Sequence, residues 1–323
     1  DGENTNPLIQ QHKVWGFIFF SDNLSGPRQT VQFLNKMKAD NVNNPLPLLL
    51  SVDQEGGKVT RLPGGLVNLP TNKKIGALND PNISFEVGTI LGKELKEYGF
   101  NLNFAPVLDV NSNPDNPVIG NRSFGDNPDV VSELGIQTMK GIQSAGILST
   151  IKHFPGHGDT SVDSHLELPV VNKSIQELES LELIPFREAI NSGADLVMVA
   201  HILLPKIDDT YPSSLSKSII TDLLRKKMNY NGTVITDDMT MKAITNNYGM
   251  GQATVQAVKA GSDLILIAHD FNKALSAIEA LKKAVQNGEI SEGRIDASVN
   301  RIIELKRAYK LEDIQTGEVD LTK

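Results

Sequence analysis

The chain alternates short apolar runs with segments of helical period, and this alternation limits the possible folds more than any other feature. Seven runs of four to nine residues are rich in Val, Ile, Leu or Phe and end in polar or turn residues. Runs that are apolar throughout are typical of strands buried on both faces. They are Val14–Phe20, Pro47–Val52, Leu102–Val110, Ile147–Ile151, Leu196–Ala200, Thr233–Thr236 and Leu264–Ala268.

The segments between these runs carry helix signals. Apolar residues recur three or four positions apart from Leu275 to Val285 and from Ile295 to Leu305. Ser174 and Glu177 form a capping-box pattern, and Pro185 predicts a kink or a second helix start. Strands that alternate with helices over this length predict a parallel sheet.

Two parallel-sheet architectures fit this order: an open doubly wound sheet and a closed (β/α)8 barrel. No G-x-G-x-x-G follows the first run and no P-loop motif occurs, which weakens the nucleotide-binding version of the open sheet. A barrel needs eight strands, so the eighth would precede the chain or lie within residues 1–13. We expect one domain over residues 1–323 and no second C-terminal domain.

Composition excludes several classes of function. The net charge is -8 without a basic run, which argues against nucleic acid as a partner. No apolar run reaches the roughly 20 residues of a membrane helix. There is no cysteine, which rules out disulfides, thiolate metal sites and a cysteine nucleophile.

Three of the six histidines fall in the segment 150–169, directly after a predicted strand. A single histidine there is more commonly a core or solvated loop residue, but His153, His157 and His165 together favour function. Metal ligation is one alternative, although H-E-x-x-H is absent and the spacing fits no common zinc pattern. Acid–base chemistry fits better, because Asp163 lies two residues before His165. In an extended loop the two side chains would point the same way, so the carboxylate could orient the imidazole.

Charged residues also end other predicted strands. Asp237 and Asp238 follow one run, where a helix cap with a solvated neighbour and a catalytic carboxylate are equally good interpretations. Asp53 ends another run before a Gly-Gly turn. Asp109 is better interpreted as a structural carboxylate that braces a loop. Arg122, among Gly and Ser residues, is either a loop brace or a ligand clamp.

These stretches together resemble family 3 glycoside hydrolases, specifically the β-N-acetylglucosaminidase branch that acts on cell-wall muropeptides. The similarity extends from about residue 14 to 309, and the Lys-His-Phe-Pro-Gly-His-Gly-Asp-Thr string with Asp-Ser-His downstream is its most specific part. The matching stretches are Val52–Gly57, Asn103–Val110, Gly120–Gly125, Lys152–Pro169 and Thr236–Met239.

The resemblance implies a (β/α)8 TIM-type barrel, with an incomplete or irregular first strand here, and a retaining mechanism through a covalent glycosyl-enzyme. It implies Asp237 as the nucleophile, His165 as the general acid/base and Asp163 as the partner of His165. The residues that would bind the sugar before the cleaved bond are Asp53, Arg61, Arg122, Lys152, His153 and His157. It implies no cofactor and no metal.

Other functions remain open at this point. The same fold could act as a β-N-acetylglucosaminide phosphorylase or another family 3 β-glycosidase, or bind sugar without turnover. A metal-dependent amidohydrolase barrel is a further alternative. The expected partner is a GlcNAc-containing oligosaccharide. The Asp1 start without a leader and the frequent Lys and Asn favour an exported, wall-associated protein over a cytoplasmic one.

Overall fold

The computed structural model describes residues 2–64 and 68–319, and within them six parallel strands form one sheet in chain order. Each strand pairs with its neighbours along the chain, as β-helix-β units require. The strands are β1 (Gly16–Phe19), β2 (Leu49–Val52), β3 (Leu102–Asn103), β4 (Leu148–Phe154), β5 (Leu196–Val199) and β6 (Thr233–Thr236).

Helices connect these strands. The capping box of Ser174 and Glu177 is confirmed, and Pro185 lies in the first turn of a second helix. A π-helix spans Ser218–Lys227, and 3-10 turns span Ser21–Asn23, Gly120–Arg122 and Ser213–Leu215. The α-helices are α1 (Gly2–Gln10), α2 (Pro27–Asp40), α3 (Asn72–Leu78), α4 (Pro81–Tyr98), α5 (Pro128–Ser144), α6 (Ile175–Glu179), α7 (Leu183–Asn191), α8 (Lys242–Thr245), α9 (Met250–Ala260), α10 (Phe271–Gln286) and α11 (Glu292–Ala308).

The sheet departs from the predicted strands in β3, which ends at Asn103 although the apolar run continues to Val110. Pro106 has no amide hydrogen to donate to a ladder. Contact with β4 becomes irregular: the carbonyls of Ala105 and Pro106 accept the amides of Thr150 and Lys152, and an isolated bridge joins Val107 to Lys152. The prediction of one strand through Val110 is therefore wrong.

The seventh apolar run lies beside β6 but forms no strand. Its Leu264 bridges Ile235, and the Leu266 carbonyl accepts the Met239 amide, but side-chain oxygens accept the next amides of the run. The amide of Leu266 donates to Thr236 Oγ1 at 3.1 Å, and that of Ala268 donates to Asp238 Oδ1 at 3.0 Å. The suggestion of a strand within residues 1–13 is also wrong for residues 2–10, which form α1.

The six-stranded sheet is curled. Apolar side chains from every strand meet in one interior cluster, together with Leu264 of the seventh run. Phe20, which follows β1, and His269, which follows that run, have ring centroids 4.3 Å apart. The first and last parts of the sheet therefore approach each other at the carboxyl ends of the strands, where loops of a parallel sheet build sites.

The loops after β2, β3 and β4 carry most of the predicted site. Residues 65–67 of the loop 53–70 lie outside the described residues. No helix in the described ranges is both long and apolar enough to cross a membrane.

Candidate active site

An ion-pair network joins the carboxyl ends of β2 and β4. Lys152 Nζ lies 2.7 Å from Asp53 Oδ1 and 2.7 Å from Glu55 Oε1. Arg122 donates to the two oxygens of Glu55 through Nε at 2.9 Å and Nη2 at 2.8 Å. Gly57, in the turn that follows, has φ 58°, and a Cβ there would lie 2.6 Å from Thr71 Cγ2. The Gly-Gly turn thus packs against Thr71 at a position where a side chain would not fit.

The network fixes the protonation states of its members. Burial alone would raise the pKa of the Glu55 carboxyl, but Arg122 and Lys152 outweigh it and hold that pKa far below its ordinary value. Burial disfavours the charged form of Lys152, yet Asp53 and Glu55 raise its pKa above the ordinary value. Glu55 therefore stays ionised and orients two cations. The sequence interpretation did not include it in the site, although it stands two residues after Asp53.

Asp109 braces the loop after β4 by hydrogen bonds, as the sequence predicted. It is fully buried, and its Oδ1 accepts the amides of His153 at 3.2 Å and His157 at 2.7 Å. Its Oδ2 lies 2.6 Å from His153 Nδ1. The other ring nitrogen of His153 faces Arg122 Nη2 at 3.4 Å, so His153 joins the network. One buried carboxylate thus orients a site imidazole and the loop after it.

The two adjacent carboxylates after β6 have different environments. Asp238 accepts the Thr240 amide at 2.9 Å and the Thr240 hydroxyl at 2.6 Å, and also the Ala268 amide, so it braces a turn. The Asp237 carboxylate accepts only the Asp238 amide, at 2.8 Å, among the described residues. Of the two interpretations of this pair, Asp238 therefore fits the structural one. The Asp237 carboxylate has few protein contacts and is available for chemistry.

Neighbouring groups hold the pKa of Asp237 below its ordinary value. Burial would raise the pKa of its carboxyl, but His153, His201, the Asp238 amide and Lys152 together hold that pKa below its ordinary value. His201 is fully buried and bonds Ser214 Oγ at 2.7 Å and the Asp238 carbonyl at 2.9 Å. An ionised carboxylate at the end of a buried strand is a suitable nucleophile or electrostatic stabiliser.

Asp163 and His165 are paired as predicted, at 2.7 Å between Oδ1 and Nδ1. The backbone, however, forms a turn and not an extended loop: Asp163 Oδ1 also accepts the His165 amide, and the Asp163 carbonyl accepts the amides of Leu166 and Glu167. The His165 side chain is 63% exposed and makes no hydrogen bond or ion pair with Asp237. The pair is therefore formed but does not touch the network.

Two other predicted site residues lie apart from the network. His157 is buried, and both ring nitrogens are engaged within its own loop, by Thr160 Oγ1 at 2.7 Å and Ser164 Oγ at 3.1 Å. Arg61 forms no ion pair with a carboxylate of the described residues, and its backbone amide donates to Gln54 Oε1 at 2.8 Å. The structure brings together Asp53, Arg122, Lys152 and His153 from the predicted sugar-binding set.

The two buried histidines predict how stability depends on pH. Burial, with His153 nearby, lowers the pKa of His157 to about 4, and burial also lowers the pKa of His201. The unfolded chain therefore binds more protons than the folded one between about pH 4 and 6.5. Stability should fall as the pH drops through that window. His157 alone accounts for about 2 kcal/mol of the loss between pH 7 and pH 5.

Denaturant unfolding of the wild type and His157→Asn at these two pH values measures that share. The variant should lose less free energy of unfolding between pH 7 and pH 5 than the wild type does. Equal losses in both proteins would mean that His157 is not held neutral by the fold.

Comparison with known proteins identifies the family of the chain. A family model described as the N-terminal domain of glycosyl hydrolase family 3 matches residues 1–305. The chain belongs to glycoside hydrolase family 3. Its family 3 neighbours include the solved structure of a β-N-acetylglucosaminidase from Paenibacillus sp. FPU-7, with TM-score 0.93 and 45% identity over 95% of this chain.

Curated relatives are also similar over most of the chain. A beta-hexosaminidase A of Pseudoalteromonas piscicida is 35% identical over 93% of the chain, and a beta-hexosaminidase of Nitrosomonas eutropha is 33% identical over 90%. The chain spans 54% of the first relative, 85% of the second and 59% of the Paenibacillus structure. The family match therefore confirms the resemblance stated from the motifs.

Proposed function

We propose that the chain is a retaining, exo-acting β-N-acetylglucosaminidase. Asp237 attacks the anomeric carbon to form a covalent glycosyl-enzyme, and His165 first protonates the leaving oxygen and then activates water. Asp163 orients His165. The observation that carries the proposal is the place of Asp237: it directly follows β6, and its carboxylate accepts only the Asp238 amide among the described residues.

The sugar pocket is assigned to the ion-pair network. Asp53, Arg122, Lys152 and His153 present carboxylate, guanidinium, ammonium and imidazole groups that can bind sugar hydroxyls. Glu55 holds the two cations in place at 2.7 to 2.9 Å. Arg61 and His157 belong to the sugar-binding set implied by the resemblance, but their contacts in this structure favour support of the neighbouring loops.

Turnover of an aryl N-acetyl-β-glucosaminide tests this function. We expect release of the aryl alcohol and, by NMR, GlcNAc that first appears as the β anomer. First appearance of the α anomer would contradict retention. Absence of turnover together with measurable sugar binding would favour the non-enzymatic alternative, a sugar-binding barrel.

Specificity for the sugar follows from the same network. A sugar with an inverted hydroxyl leaves a buried polar group of the pocket without its hydrogen-bond partner, which costs about 1–3 kcal/mol. An N-acetyl-β-galactosaminide, the 4-epimer, should therefore have a kcat/KM lower by about 10- to 100-fold. Asp53→Asn should reduce this discrimination, since it weakens the Lys152–Asp53 pair. Equal kcat/KM for the two epimers would show that the network does not line the pocket.

Substrate class and barrel closure belong to the same proposal. Resemblance to the muropeptide branch supports GlcNAc-terminated peptidoglycan fragments as natural substrates, and comparison of kcat/KM for a muropeptide and chitobiose tests this.

The contact between Phe20 and His269 supports closure of the curled sheet as an eightfold barrel. A single domain over residues 1–323 stays a prediction.

Phosphate is a second candidate acceptor. The proposed base is an imidazole, and a neutral imidazole does not repel an anion as a carboxylate would. Formation of GlcNAc 1-phosphate in the presence of inorganic phosphate distinguishes a phosphorylase from a hydrolase.

For the metal-dependent alternative, no group of three His, Asp or Glu side chains in ranges 2–64 and 68–319 has the arrangement of a metal site. We expect activity to be insensitive to a chelator.

A further inference from the structure

The buried imidazole of His157 connects two parts of the molecule. Its backbone amide donates to Asp109 Oδ1, the same oxygen that accepts the amide of His153. Its ring lies between Thr160 and Ser164, both of which are buried. Ser164 stands between the two members of the Asp163–His165 pair. The residue His157 thus links Asp109, which supports the ion-pair network, to the turn that carries His165.

The hydrogen bonds of this side chain form a consistent set. Burial lowers the pKa of His157 to about 4, so the ring is neutral at pH 7, with one donor and one acceptor nitrogen. The Thr160 hydroxyl donates to the His157 carbonyl at 3.0 Å, so its oxygen can accept from Nδ1. Nε2 then accepts from the Ser164 hydroxyl at 3.1 Å. No donor of the ring is left for a sugar hydroxyl.

The rest of the loop is held against the fold at several points. Asp159 pairs with Lys173 at 2.8 Å, and Lys173 also pairs with Glu182 at the start of α7. Gly158 packs so closely on the segment after β3 that a Cβ would lie 1.7 Å from the Val110 carbonyl oxygen. The Ser164 carbonyl accepts the Ala243 amide, from the segment after β6, at 3.2 Å. The turn therefore rests on the part of the chain that follows Asp237.

We propose that His157 is a positioning residue that sets the placement of the Asp163–His165 pair through its hydrogen bond to Ser164. The inference rests on the proposed function, since it assigns a role in proton transfer. It differs from the assignment of His157 as a sugar ligand, because the ring acts through Ser164 and does not touch the substrate. Asp109 then orients both halves of the site, His153 directly and His165 through His157.

Removal of one hydroxyl tests the link with little change in volume. Ser164→Ala deletes the partner of His157 Nε2, and Ser84→Ala is the matched control, because Ser84 is equally buried but bonds Leu134 and Thr138 between α4 and α5. A second pair separates the two nitrogens of the ring. In His157→Gln the amide can still reach Ser164, whereas in His157→Asn it reaches only as far as Thr160.

Two measurements apply to all four variants. The first is kcat/KM for a phenyl and for a 2,4-dinitrophenyl N-acetyl-β-glucosaminide, with the inhibition constant of free GlcNAc. Ser164→Ala and His157→Asn should lose about tenfold with the phenyl glycoside, which needs a proton, and much less with the dinitrophenyl one. GlcNAc inhibition should not change, and His157→Gln should recover part of the loss. The second is hydrogen exchange of amides 158–168, which should accelerate in Ser164→Ala and not in Ser84→Ala.

The alternatives give different results. If His157 binds the sugar, both glycosides lose equally and GlcNAc inhibition weakens. If the bond is only structural, activity falls with the folded fraction for both glycosides, and amides 158–168 exchange as in the wild type. Either result overturns the inference. If the wild type cleaves neither glycoside, the proposed function fails, and the exchange of amides 158–168 still decides whether Ser164 places the turn.

Discussion

Asp237→Ala is expected to lower kcat by about 10⁴-fold or more, because covalent catalysis disappears with the carboxylate. The side chain follows β6, so a rigid strand holds it, and its one hydrogen bond among the described residues comes from the Asp238 amide. The variant should keep its affinity for GlcNAc, because the network of Asp53, Lys152 and Arg122 is untouched. Steady-state rates with an aryl N-acetyl-β-glucosaminide measure the loss.

Asp238→Asn is the matched control for this prediction. Asp238 braces the turn through Thr240 and Ala268, so its replacement should cost about 1–3 kcal/mol of stability. Its effect on kcat should be far smaller than that of Asp237→Ala. A larger loss of kcat in Asp238→Asn than in Asp237→Ala would reverse the assignment of the two carboxylates.

His165→Ala should have an effect that depends on the leaving group. Loss of a general acid lowers the rate by about 10²–10⁴-fold for glycosides whose leaving oxygen must be protonated. Dinitrophenolate departs unaided, so glycosylation with that donor should be much less affected. Deglycosylation would then limit the rate, and azide should restore it, since azide attacks without a base. Asp163→Ala should give a milder form of this pattern, because Asp163 only orients the imidazole through their 2.7 Å contact.

Equal losses for good and poor leaving groups in His165→Ala would show that another group donates the proton. Three carboxylates in or near the loops are the alternatives, and the structure separates them. Glu55 is ionised between Arg122 and Lys152, and Asp159 is paired with Lys173. Glu167 is exposed and follows His165 in the same turn. Glu167→Gln is therefore the control, and it should change kcat little.

The sheet was largely predictable because buried parallel strands have a strong local signal. Six of the seven apolar runs contain strands. The failures are at positions where single side chains compete with the ladder. Pro106 offers no amide, and Thr236 and Asp238 capture the amides of Leu266 and Ala268. Such competition depends on which segments meet in space, and the pattern of apolar residues does not contain that information.

For the candidate site, the sequence predicted which residues lie at one edge of the sheet better than it predicted the contacts between them. Polar residues at strand ends indicated the edge of the sheet where Asp53, Lys152 and His153 meet, and two-residue spacing indicated the contact of Asp163 with His165. Glu55 forms ion pairs with Arg122, 67 positions later, and with Lys152, 97 positions later. The His157 amide likewise donates to Asp109, which lies 48 positions earlier. These roles follow from tertiary contacts, which local motifs do not specify.

Trapping of the glycosyl-enzyme tests the central claim most directly. A 5-fluoro N-acetylglucosaminyl fluoride keeps the acetamido group and slows both steps of a retaining mechanism, so the intermediate should accumulate. Digestion and mass mapping should then locate one sugar on the peptide that contains Asp237, and Asp237→Ala should remain unlabelled. A label on Asp238 or elsewhere, or inactivation without any covalent sugar, would contradict Asp237 as the nucleophile.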